Sequence, residues 1–141
     1  MVELIVTMII IGIMAIAVVP RMDLLRGFDE IGFRDQVKSA LEYARKSAVA
    51  QRRNVHVTIT NTIVAVNIAS DIPEGADAAN FDRFLTLPGT NINNITAPPG
   101  VTLTPAVIIN FDPLGRPSTG AVITVSGAGT ITVEAETGYV H

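Results

Sequence analysis

At 141 residues the chain has the length of one ordinary domain. It is 48% hydrophobic and 16% charged, with a mean hydropathy of +0.43 and no cysteine. That excludes a disordered chain, a disulfide scaffold, thiolate zinc sites, iron–sulfur clusters and a cysteine nucleophile. Five Phe, two Tyr and no Trp leave little for stacking single-stranded nucleic acid, and a net charge of −3 argues against a general polyanion binder.

Charge divides the chain into three zones. After Glu3, residues 4–19 carry none. Residues 20–53 hold eight Lys/Arg against five Asp/Glu, a net of +3. Residues 54–141 hold Arg83 and Arg116 against seven carboxylates, a net of −5.

Leu4 to Val19 is an uncharged run in which only Thr7 and Gly12 dilute Ile, Met, Val and Ala. As a helix it reaches ~24 Å, a little short of a ~30 Å hydrocarbon core. A signal peptide fits poorly, because no basic segment precedes the run and no small-x-small site follows it. Apolar residues on every face also argue against an ordinary core helix. The expectation is a helix embedded in lipid or in a bundle of like helices. Glu3 stands at its edge, where a carboxylate is costly unless paired. It reads either as a residue suited to the helix dipole or as a charge kept for a partner.

From Arg21 to about Arg53 apolar residues recur at helical spacing: Leu24, Leu25, Phe28, Ile31, Val37, Leu41, Ala44, Ala48 and Val49. Glu42 and Lys46 stand at i,i+4 in the favourable order. Pro20 removes one backbone hydrogen bond and can kink a helix without ending it. Residues 2–53 therefore read as one helix, with residues 1–20 its membrane or filament-core half and 21–53 its amphipathic half. The basic residues Arg45, Lys46, Arg52 and Arg53 read as a solvated face with dipole-favoured cations.

Residues 54–141 read as a β-rich head. Val55, Val57 and Ile59 alternate with polar residues, and Ile63–Ile68 follows after a turn, giving a hairpin. Residues 70–100 are turn-rich, with one short strand expected near Phe84–Leu87. Val107–Phe111, Ala121–Val125, Thr130–Glu134 and Tyr139–Val140 are the remaining strands. Asp112-Pro113-Leu114-Gly115 and Ser126-Gly127-Ala128-Gly129 are turns. Strands after one long helix give an α+β class, with a helix packed on an antiparallel sheet.

Enzyme signatures are absent: there is no H-E-x-x-H, G-x-S-x-G or P-loop. His56 lies on the polar parity of its strand and reads as a surface residue. Glu74, Asp77, Asn80 and Asp82 form an oxygen-rich loop that matches no EF-hand, so no metal or cofactor is expected. Asn94-Ile95-Thr96 is a glycosylation sequon with nothing else to support secretion from a eukaryote.

The run Val2-Glu3-Leu4 to Ala17, with Pro20, resembles the N-terminal helix of type IV pilins and pseudopilins, in which a glutamate and a proline have this spacing. The C-terminal half is similar to the H-type minor pseudopilin family (GspH/FimT). The matching residues are the turn Phe111-Asp112-Pro113-Leu114-Gly115-Arg116 and the closing segment Ile131-Thr132-Val133 through Gly138-Tyr139-Val140. The resemblance implies assembly roles for Glu3 and Pro20 and a head turn built on Phe111, Pro113, Gly115 and Arg116. It implies a non-enzymatic subunit, held in the inner membrane with its head in the periplasm and then built into a filament. Its partners would be other pseudopilins or pilins through the helix, an inner-membrane assembly platform with its ATPase, and prepilin peptidase. No nucleic acid is expected as a partner. Family precursors carry a basic leader that is cleaved at a glycine before a methylated phenylalanine. This sequence opens two residues before Glu3, which implies either a late start codon or an unprocessed chain. Arg21 and Arg26 alone would place the head in the cytoplasm; a basic leader would reconcile them with a periplasmic head. A type II secretion pseudopilus is the first reading, and a minor type IV pilin for pilus assembly, adhesion or DNA uptake is the alternative.

Overall fold

The structure, a computed structural model, describes residues 1–73, 75 and 79–141, with the backbone alone for 17–26. One helix, α1 (Val2–Gln51), runs unbroken through Pro20. Eight strands follow: β1 (Val55–Ile59), β2 (Ile63–Ile68), β3 (Arg83–Phe84), β4 (Asn94–Thr96), β5 (Leu103–Thr104), β6 (Val107–Phe111), β7 (Ala121–Val125) and β8 (Gly129–Val133). The fold is α+β, a helix packed on antiparallel sheet.

The strands form two sheets. The first has the order β3-β2-β1-β6, with β4 also paired to β2. The second has the order β5-β7-β8. Within the first, Val57 stands opposite Val66 on one side and Ile109 on the other, so one face of three strands is a single apolar layer. In the second, Ile123 stands opposite Ile131. All of these residues are buried.

α1 covers that layer with Phe33, Val37, Leu41, Ala44 and Ala48. Steps of three and four residues keep them on one stripe. The stripe differs from the expected one: Phe28, Ile31 and Val49 are exposed, while Phe33 and Ala40 are buried. At about 100° per residue, Phe28 and Ile31 lie some 140–200° around the helix from Phe33. Apolar packing on the head begins at Phe33, and these two residues face away from it.

α1 ends at Arg52, which adopts a left-handed conformation (φ 51°, ψ 42°). The N–H groups of Arg52 and Arg53 donate to Val49 O and Ala48 O, satisfying two terminal carbonyls. Glycine would normally occupy this position, because a Cβ costs about 1–2 kcal/mol there. Glycine also has more freedom to lose, so Arg52→Gly is expected to stabilise the chain by about 0.5–1 kcal/mol net, read as a higher urea midpoint. Arg53 then anchors the exit, its Nη1 donating to Ala69 O at 3.2 Å and also to Ser70 O.

Several local expectations are revised. The long connection holds β3 at Arg83–Phe84 rather than 84–87, and it holds β4 as well; β5 follows just after it. β8 starts and ends one residue earlier than expected. Tyr139–Val140 contributes an isolated bridge, Val133 with Val140, because Gly138 (φ 64°) turns the chain immediately before it. His56 has the expected parity but is half-buried, because Phe81 folds over it with ring centroids 4.8 Å apart. The sequon lies in β4, paired to β2. Of the proposed oxygen-rich loop, Glu74 and Asp77 lie outside the described residues. Asn80 and Asp82 are exposed, and among the described residues no group of three or more metal-ligating side chains converges.

Candidate assembly surface

Two regions hold the residues singled out by the sequence, at opposite ends of the molecule. Glu3 and Pro20 lie in the N-terminal half of α1. Phe111, Pro113, Gly115 and Arg116 lie in the turn after β6, beside Arg45. Forty-two helical residues separate Glu3 from Arg45, about 63 Å at 1.5 Å each.

Residues 1–16 project from the head without intramolecular cover. Residues 1–16 are all exposed, including Leu4, Ile5, Ile9, Ile10, Ile13 and Ile16. Exposure of this extent marks a surface made for lipid or for other proteins. Glu3 lies in the first helical turn, where a carboxylate suits the dipole. Thr7 keeps its hydroxyl out of the apolar surroundings by donating to Leu4 O at 2.9 Å. The backbone at Pro20 is helical, and its side chain lies outside the described residues. Among the described residues no helix is long and apolar enough to cross a membrane.

At the other end, the 111–116 turn is a structural clasp. Phe111 ends β6, fully buried opposite Val55. Asp112 Oδ1 accepts from the N–H groups of Leu114 at 2.9 Å and Arg116 at 2.8 Å. Its own carbonyl accepts from Gly115 N at 2.9 Å. Gly115, at φ 79°, turns its carbonyl toward the helix, where Arg45 Nε donates to it at 3.3 Å. Gly138 packs against that same carbonyl, with Phe111 beneath it. Leu114 and Arg116 point outward and are exposed.

The clasp explains the residue types. A Cβ on Gly138 would strike Gly115 O, and Arg45 Cδ and Phe111 Cε1 would each lie 3.3 Å from it. Left-handed strain and overpacking add, so Gly138→Ala is expected to cost about 2–4 kcal/mol, measured as a drop in urea midpoint with far-UV signal. Sequence reasoning missed Asp112 as the turn's acceptor and Arg45 as its strut. The basic cluster is thus not simply a solvated face: Arg45 and Arg53 hold backbone carbonyls, and Lys46 pairs with Glu42 at 3.6 Å as expected.

A shallow groove of about 470 Å³ lies between α1, at Gly32, Gln36 and Ala40, and Leu87, Pro88 and Ile95. A second lies beside the clasp, against Phe81, Asn110 and Arg116.

An exposed apolar half-helix that continues into a helix packed on antiparallel sheet defines a pilin-like structural subunit. The profile of the family described as type II transport protein GspH matches residues 34–138. The chain belongs to that family. Among solved structures it is similar to the type IV minor pilin FimU of Pseudomonas aeruginosa, at TM-score 0.53 and 13% identity, covering 78% of this chain and 89% of that one. It is also similar to the minor pseudopilin EpsH from the type 2 secretion system of Vibrio cholerae, at TM-score 0.54 and 14% identity, covering 76% of this chain and 90% of that one. At such identities the likeness is one of fold. No curated protein matches the sequence.

Proposed function

We propose that the chain is a minor subunit of a type II secretion pseudopilus, taking part in protein secretion across the outer membrane. The observation that carries this reading is the GspH-family head joined to an uncovered apolar half-helix. Residues 1–20 hold the subunit in the inner membrane and then in the filament core. Residues 21–53 carry the helix onto the head, and residues 54–141 form that head in the periplasm. Other pseudopilins pack against the helix, and an inner-membrane assembly platform drives insertion. Prepilin peptidase acts if a leader lies upstream, and methylation of the new N-terminus follows.

A minor type IV pilin is the second reading, favoured by the likeness to FimU. Co-purification separates the two. The chain, tagged at its C-terminus in its native host, is expected to recover secretion pseudopilins and to be needed for secretion. Recovery of pilus subunits alone, with secretion intact in a deletion strain, would establish the second reading.

DNA uptake places a further demand on the head. Its net of −5 and its two cations, Arg83 and Arg116, give phosphate no track to follow. The full chain, net −3, is expected to bind duplex DNA no tighter than about 10 μM at physiological salt, the range of non-specific contact. Fluorescence anisotropy with a labelled duplex measures this. Sub-micromolar, salt-sensitive binding would favour uptake.

A further inference from the structure

Just before the apolar stripe, α1 carries two glycines that the packing does not require. A Cβ built on Gly27 or Gly32 meets nothing within 4 Å among the described residues. Both lie inside an unbroken helix, so neither turns the chain nor makes room for a neighbour. Glycine weakens a helix interior relative to alanine, because its backbone loses more freedom on folding. Two glycines five residues apart weaken about one and a half turns, ending directly before Phe33.

The same stretch carries a polar hold on the head. Arg34 reaches the start of β8, where its Nε and Nη2 both donate to Thr130 O, at 3.3 and 3.2 Å. Thr130 has the strand parity of Thr132, whose N–H and C=O bond to His141 along the outer edge of β8. Arg34 therefore closes the one position of that edge which the C-terminal segment does not reach. One turn earlier, Glu30 lies against the β7–β8 turn. A Cβ on Gly127 (φ 77°) would strike its carboxylate. Neither hold is strong. The Arg34 bonds are long for N–H donors, its side chain is 30% exposed, and Glu30 makes no ion pair among the described residues.

We propose that residues 27–34 form a latched hinge: Gly27 and Gly32 let the helix yield there, and Arg34 and Glu30, seated on the β7–β8 turn, hold it straight against the head.

The placement of the holds makes the latch separable from the core. Arg34 and Arg45 stand eleven residues apart, three turns, and so share one side of the helix. Each ties α1 to a backbone carbonyl of the head. Between them Val37, Leu41 and Ala44 are fully buried, so the helix at Arg45 is held by apolar packing whatever its guanidinium does. On the other side of Arg34 only Phe33 is buried, and Phe28, Asp29, Ile31 and Gly32 are exposed. Opening the latch therefore frees the helix as far as Phe33 and leaves the sheets packed. A closed latch gives the exposed N-terminal segment one angle to the head, and an open one gives it a range. The device belongs to the single subunit and does not depend on which filament the chain joins.

Amide hydrogen exchange tests it, because exchange reads local opening. The ¹⁵N-labelled full chain is held in lauryldimethylamine oxide micelles and followed by nuclear magnetic resonance. Arg34→Gln is expected to speed exchange at the amides of residues 28–34 about three- to tenfold, the loss of one hydrogen-bonded contact. The amides of β1, β2 and β6 should keep their parental rates. Adding Gly27→Ala and Gly32→Ala to Arg34→Gln should return residues 28–34 to the parental rate or below, since both sites have room for a methyl group. The proposal is overturned if Arg34→Gln leaves residues 28–34 unchanged, if it speeds exchange equally in the sheet, or if the two alanines restore no protection.

Discussion

Phe111→Ala is expected to remove about 3–5 kcal/mol of stability, the usual cost of deleting a fully buried phenyl ring. Against a total of about 5–15 kcal/mol for a domain, that unfolds much of the population or brings it to the edge. Three structures converge on this ring. Its strand pairs with β1 opposite Val55, its backbone bridges to Pro117, and its Cε1 lies under Gly138. Removing it opens a cavity where the helix, the first sheet and the C-terminal segment meet. Phe111→Leu keeps most of the volume and should cost markedly less. Urea unfolding of both variants, followed by far-UV circular dichroism, checks the order. Equal midpoints for the alanine variant and the parent would mean that the clasp is not part of the core.

Glu3→Leu is expected to leave the head folded and membrane insertion intact, yet to abolish most incorporation into a filament. Glu3 is exposed and lies thirty residues before Phe33, where apolar packing on the head starts. The head cannot sense the change. Among packed apolar helices a lone carboxylate is costly, and a cation at the same depth offsets that cost. The pilin resemblance suggests the terminal amine of a neighbouring subunit as that cation. Under that reading the substitution would remove the pairing and with it the register between helices. Complementation in the native host, with a leader supplied, checks this by filament co-purification and secretion. Incorporation at the parental level would reduce Glu3 to a helix-end residue.

The long regular elements were legible and the short ones were not, for a physical reason. β1, β2, β6 and β7 each run five or six residues, long enough for alternation to show in the residues themselves. β4 and β5 span three and two residues, too few for a period. They exist because β2 and β7 offer them unpaired backbone groups. The helix was legible in extent but not in facing. Phe28 and Phe33 look alike in sequence, and only the point where the head makes contact separates them. The same holds at the clasp. Asp112-Pro113-Leu114-Gly115 announces a turn through its residue types, whereas Arg45 lies seventy positions away from the carbonyl it holds. No local pattern encodes a contact across that separation. His56 shows the converse: its strand parity was readable, but its covering by Phe81 depends on how an irregular segment folds back.

The division of α1 at Phe33 separates two kinds of selection. Substitutions between Leu4 and Ile16 touch no contact of the head, and substitutions in the stripe from Phe33 to Ala48 change energies within its core. Sites this far apart, with no shared neighbour, combine additively to within about 0.5 kcal/mol. A subunit of this design can therefore be retuned for a new filament without re-optimising its head. Its head can equally be exchanged for another while the exposed apolar segment is kept.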